Sequence, residues 1–121
     1  MRQPTFHLVA IILLFTIPIS FATYKRNAIW KNELLMWVDV VQKSPEKARA
    51  HTGLGIAYFK QDRIDEAVEK YLTALRLNPG FVEAHVNLGN AYFKQKRMNE
   101  ALQEYESASR FGPGYAQAHN N

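Results

Sequence analysis

Three histidines recur at a constant interval of 34 residues: His51, His85 and His119. Imidazole is a common zinc ligand, so such a series raises the question of a metal site. The interval argues against one. The ligands of a single zinc ion each lie within about 2.1 Å of it, whereas equivalent residues on stacked helices lie about 8–10 Å apart. Copies of one packing residue explain the series better. A second group, Asp62, Asp65, Glu66 and Glu69, could supply paired carboxylates for acid–base work. At helical spacing beside Arg63 and Lys70, however, it reads as a solvated face. Asp65 and Asn99 also fit helix starts, where a short polar side chain caps free amides. The cations Lys60, Arg63, Lys94, Lys96 and Arg97 gather near two turns, but acids interleave with them, so no nucleic-acid footprint is expected. There is no G-x-S-x-G, no H-E-x-x-H and no phosphate-cradling glycine loop. Gly53-Leu54-Gly55 has no strand before it. The expectation is a chain that is not an enzyme, with no catalytic residue, metal or cofactor.

The bulk properties agree. At 121 residues, 47% hydrophobic and 21% charged, the chain suits one small folded domain. Its 15 Lys and Arg are offset by 11 Asp and Glu to a net +4, a mildly basic, mixed surface. It has no cysteine, which excludes disulfide staples, thiolate zinc sites and a cysteine nucleophile.

What positions these side chains is a repeat. Residues 48–81 and 82–115 abut without a gap, and 17 of their 34 aligned positions are identical. Leu54-Gly55 and Leu88-Gly89 sit in the first half of each block, with Tyr58 and Tyr92 three residues after each glycine. Ala67 and Ala101 open the second half, followed by Tyr71 and Tyr105, then Ala74 and Ala108. Spacings of three, four and seven lay these residues along one helical stripe. Each block is therefore two helices, spanning about 48–61 and 64–77, then 82–95 and 98–110. Glycine inside a helix costs roughly 1 kcal/mol relative to alanine, so Gly55 and Gly89 predict close approach of a partner helix. Pro79-Gly80 and Pro113-Gly114 end each block.

This pattern resembles the tetratricopeptide repeat (TPR), with His51 and His85 at its Trp position and Tyr71 and Tyr105 at its Phe position. The resemblance implies an all-α TPR-type helical-hairpin solenoid with a concave groove for a protein or peptide ligand. It places Arg49, Thr52, Ile56, Phe59 and Lys60 of the first block on that groove, with Glu83, Val86, Asn90, Phe93 and Lys94 of the second. Phe59 and Phe93 would be anchors, Asn90 a partner for an extended backbone, and Lys60 and Lys94 attractors for a carboxylate. TPR modules that clamp a C-terminal carboxylate use Lys and Asn where Thr52 and Ile56 stand, so this type of clamp is not expected.

The flanks complete the organisation. Phe6 to Tyr24 carries no fixed charge and, as a helix, would reach roughly 28 Å, the thickness of a bilayer core. Two readings of it stand: a retained membrane helix, or a signal peptide with Ser20-Phe21-Ala22 as its cleavage site. Residues 1–26 form this transmembrane or signal-anchor segment. Residues 27–47 fit a degenerate half-repeat that caps the stack, with a stripe of Trp30, Leu34, Trp37 and Val41. Residues 116–121 begin a truncated third repeat. Arg26-Asn27-x-x-Trp30-x-x-Glu33, after an apolar helix and before the repeats, resembles the junction in O-mannosyltransferase-like transmembrane-and-TPR proteins. That likeness implies an extracytoplasmic (periplasmic or lumenal) repeat region, although Lys25, Arg26 and Lys31 outnumber Arg2 and the positive-inside rule alone points to the cytoplasm. The function expected is a membrane-anchored scaffold that binds a protein or peptide in its groove. The alternatives are a non-catalytic end of a multi-span glycosyltransferase-like protein and a secreted or periplasmic adaptor.

Overall fold

A computed structural model describes residues 4–115. Five α-helices follow one another: α1 (Pro4–Lys43), α2 (Ala48–Lys60), α3 (Ile64–Leu77), α4 (Val82–Lys94) and α5 (Met98–Phe111). All elements among the described residues are helical, as the repeat pattern predicts. His119 and the beginning of a third repeat lie outside the described residues. The chain divides into two compact units between Asn32 and Glu33.

In the first unit, the described side chains from His7 to Ile29 are all exposed, among them Leu8, Ile12, Leu14, Ile17 and Ile19. Apolar residues lie all round this helix rather than along one stripe. That distribution is expected of a helix whose surroundings are apolar on every side. Among the described residues, α1 from His7 to Lys43 is the one helix long and apolar enough to cross a membrane. Pro18 is its only internal proline, and no glycine interrupts it. For that reason the helix runs through the Arg26-Asn27 junction without a break.

In the second unit, Leu34, Trp37, Val38 and Val41 are half-buried at i, i+3, i+4 and i+7. α2 pairs with α3 and α4 with α5 as antiparallel hairpins, and α3 packs against α4. The core between the hairpins holds Ala67, Tyr71, Leu88, Ala91, Tyr92 and Ala101. The small residues act as the sequence predicts, but the partner that comes close is aromatic. A Cβ on Gly55 would lie 2.5 Å from Cε1 of Tyr71, and one on Gly89 would lie 2.6 Å from Cε1 of Tyr105. Gly53 likewise makes room for the Trp37 ring, 2.5 Å from where its Cβ would be.

The turn inside each hairpin is built identically. Asp62 and Lys96 both take left-handed backbone, at φ 62° and 61°. Their amides donate to the carbonyls of Phe59 and Phe93 at 3.0 Å, closing the end of the helix. The next residues, Arg63 and Arg97, lie over the rings of Tyr58 and Tyr92 at 4.5 and 4.3 Å. Each arginine also binds the glutamate three residues on, Glu66 or Glu100. Asp65 and Asn99 do not cap these helices, contrary to expectation. The N-cap positions belong to Arg63 and Arg97, which make no side-chain cap bond. Asp65 sits in the first turn, and its Oδ1 accepts from Nε2 of Gln95 at 2.7 Å, tying one hairpin to the next.

Candidate functional site

The expected groove residues lie on α2 and α4, which run side by side. The two sets occupy the same five positions of their helices but differ in exposure. On α4, Asn90, Phe93 and Lys94 are exposed, and Phe93 keeps 59% of its surface open. Glu83 and Val86 are half-buried. On α2, Arg49 and Lys60 are exposed, while Ile56 and Phe59 are half-buried and pack against the core beside α4. Thr52 is 1% exposed, and its hydroxyl donates to the Ala48 carbonyl at 3.1 Å. It has no surface to offer a ligand and leaves the groove set. A threonine can bury there because that backbone bond satisfies its only polar group.

Three of the polar members, Lys60, Lys94 and Asn90, are already engaged. Nζ of Lys60 binds both carboxylate oxygens of Glu33, at 2.8 and 3.1 Å. Nζ of Lys94 lies 2.7 Å from Oδ1 of Asp62 and 5.2 Å from the centre of the Phe59 ring. Phe59, Asp62 and Lys94 thus form a bridge from the first hairpin to the second. Exposed pairs of this kind contribute only about 0–1 kcal/mol, so an incoming carboxylate could exchange with them at little cost. The carboxamide oxygen of Asn90 accepts from the Tyr105 hydroxyl at 2.6 Å. Its NH2 group is then what it can present, which suits a carbonyl acceptor on a bound chain.

Burial marks the wall beneath this surface. It pushes the Tyr71 phenol well above its usual range, with the Glu83 charge adding to the effect. Burial likewise raises Tyr92 and Tyr105. All three phenols therefore stay protonated at ordinary pH.

The histidines are built into the packing. Nε2 of His51 and of His85 each pair with the carbonyl of a proline six residues earlier, Pro45 and Pro79, at 2.8 Å. Nδ1 of His85 lies 2.7 Å from Oε2 of Glu104, and its ring stacks on Phe111 with centroids 5.6 Å apart. Among the described residues, no group of three or more His, Asp or Glu is placed to hold a metal ion.

Sequence reasoning missed the ties between Asp65 and Gln95, Asp62 and Lys94, and Glu33 and Lys60. All three link residues about 30 positions apart, beyond the reach of i, i+3 and i, i+4 rules. The Arg63–Glu66 and Arg97–Glu100 pairs were in plain sight, since R-x-x-E stands in both blocks at helical spacing.

Two family models match the chain: "TPR repeat" over residues 57–96 and "Tetratricopeptide repeat" over residues 82–115. No curated protein matches it. Several solved structures do. The TPR2B domain of yeast Sti1, in a complex with pHsp70, superposes with a TM-score of 0.71 at 22% identity, covering 81% of this chain and 82% of that one. The first TPR of Spaghetti (RPAP3), bound to the HSP90 peptide SRMEEVD, gives 0.70 at 21% identity, over 82% and 79%. MamA MSR-1 gives 0.65 at 24% identity over 76% of this chain, which spans about half (53%) of MamA. These matches do not confirm the likeness of the junction to O-mannosyltransferase-like membrane proteins. The two family models together match residues 57–115 to tetratricopeptide repeats, and the stacked hairpins there have the fold of the solved TPR structures.

Proposed function

We propose that the chain is a membrane-anchored scaffold that holds a protein or peptide segment along the α2–α4 face. The observation that carries this reading is Phe93. It is a large aromatic side chain left 59% exposed on a first helix, one helical turn from the amide of Asn90. Exposed aromatics beside a directed polar group are what binding surfaces use as anchors. Phe59 extends the surface from α2, with Lys94 across its ring. The solved complexes of Sti1 and Spaghetti, which share this fold, support a peptide as the class of ligand. Thr52 and Ile56 stand where Lys and Asn form a terminal-carboxylate clamp, so the ligand proposed here is an internal segment with apolar side chains. Phe59→Ala combined with Phe93→Ala should reduce partner capture in a pull-down at least tenfold, with helicity by circular dichroism unchanged. Equal capture by the double variant would place the interface elsewhere.

The anchor reading rests on α1, apolar around its circumference and exposed from His7 to Ile29. Ser20-Phe21-Ala22 is the specific feature that favours release by a signal peptidase instead. Intact mass of the mature chain decides: the full sequence in the membrane fraction supports an anchor, and loss of the first 22 residues supports a released adaptor.

A further inference from the structure

We propose that Lys25, Arg26 and Lys31 form a collar that recognises anionic phospholipid headgroups where α1 leaves the membrane. The proposal rests on the anchor reading above and adds the lipid class. At 3.6 residues per turn, these three cations stand about 100°, 140° and 120° apart around the helix axis. They form a ring, whereas a helix lying flat on a membrane carries its cations along one stripe. From Lys25 to Lys31 the helix rises only about 9 Å, comparable to one headgroup layer. All three side chains are exposed.

Aromatic residues share the same level. Nζ of Lys25 lies 5.1 Å over the Phe21 ring, and Cζ of Arg26 lies 5.0 Å over the Trp30 ring. Tyr24 is 72% exposed. Rings with polar tips favour the boundary between lipid tails and water, so they fix the depth at which the cations sit. Stacking also orders the two cations along the helix before any lipid arrives.

Charge then selects the occupant. No Asp or Glu occurs before Glu33, so the first unit has no carboxylate to neutralise its collar. Glu33 itself, in the second unit, is held by Lys60. A ring of three cations without internal counter-charge, at headgroup depth, is complementary to phosphate diesters that carry no compensating amine. Phosphatidylglycerol meets this description and zwitterionic phosphatidylcholine does not.

The test uses the full chain reconstituted in phosphatidylcholine vesicles with trace spin-labelled lipid. The motionally restricted spectral component reports lipid in contact with the protein. Spin-labelled phosphatidylglycerol should be enriched several-fold over spin-labelled phosphatidylcholine at low salt. The enrichment should fall towards one in high salt and in the triple variant Lys25→Gln, Arg26→Gln, Lys31→Gln. Equal contact of the two lipids with the parent chain would overturn the collar while leaving the anchor standing. Undiminished enrichment in the triple variant would assign lipid selection to other residues. A chain that does not enter the vesicles, with no restricted component for either lipid, would overturn the anchor and the collar together.

Discussion

The two hairpins share half their residues, yet the same side chain meets different surroundings in each. Tyr71 is 1% exposed because α4 closes over it, whereas Tyr105, in the second hairpin, is half-buried. His51 and His85 both pair with a proline carbonyl, but only His85 has a carboxylate on its other nitrogen. Position 104 is glutamate, and its counterpart in the first block is Lys70. Nδ1 of His51 is in consequence buried without a hydrogen-bond partner. The difference shows that repeat identity fixes the backbone and the small-residue contacts. Exposure and polar pairing are fixed by what stands on either side of each repeat.

The largest effect should come from filling the glycine gaps. Gly55→Ala places a methyl group 2.5 Å from the Tyr71 ring, which is enclosed and cannot move aside. Overpacking of this kind typically costs about 1–3 kcal/mol, partly offset by the roughly 1 kcal/mol helix preference of alanine over glycine. Gly89→Ala meets Tyr105 at nearly the same distance, but that ring can swing outward. Chemical denaturation should show Gly55→Ala as clearly the more destabilised of the two. Equal losses would mean that Tyr105 is held as firmly as Tyr71.

Next in size are the histidines. Glu104→Ala would leave Nδ1 of His85 as bare as that of His51, and a buried polar group that loses its partner costs about 1–3 kcal/mol. The reciprocal change, Lys70→Glu, copies the second block into the first and offers His51 the carboxylate it lacks. It should stabilise the fold by about 1 kcal/mol, since the Lys70–Glu69 pair it removes is exposed on its glutamate side. If Lys70→Glu is neutral or harmful while Glu104→Ala is costly, the two histidine sites are not interchangeable.

Much of this architecture was legible before any coordinates. Helix positions followed from the spacing of Leu, Gly, Tyr and Ala, and the need for close approach followed from Gly55 and Gly89. The identity of the close partner did not. Alanine at 67 and tyrosine at 71 lie on the same stripe, and which of them fills the gap depends on helix rotation. Groove residues transferred by position gave Phe93 and Asn90 as exposed but also gave Thr52, whose burial depends on its bond to the Ala48 carbonyl. Lys60 and Lys94 were readable as cations, yet their acids, Glu33 and Asp62, are joined to them only by the stacking of one helix on another.

A smaller effect separates the two turns. Asp62 and Lys96 share left-handed backbone, a conformation that aspartate tolerates better than lysine. Lys96→Gly should therefore stabilise the second hairpin by up to about 1 kcal/mol, less the entropy that glycine adds to the unfolded chain. Asp62→Gly should give less, since it relieves less strain and removes the pair with Lys94. Thermal midpoints of the two variants would show the order, and a larger gain at 62 would reverse this ranking of the turns.

The smallest difference concerns the glutamates that follow each turn. The Arg63 guanidinium holds the Glu66 carboxyl below its usual range. At Glu100 the largest cause of the same lowering is its own backbone amide, with Arg97 second. A carboxylate whose folded value is depressed binds fewer protons folded than unfolded. Its stabilisation is present above the unfolded value of about 4.3 and is lost as pH falls through the folded value. Both groups are exposed, so water screens the effect. The causes, however, predict unequal responses to the same substitution. Arg63→Ala should raise the titration midpoint of Glu66, read by carboxyl carbon shifts in NMR, more than Arg97→Ala raises that of Glu100, because both glutamates keep a backbone bond but only at Glu100 is that bond the larger cause of the lowering. Equal rises would show that the arginine dominates in both hairpins, and that the turns are electrostatically as alike as their backbones.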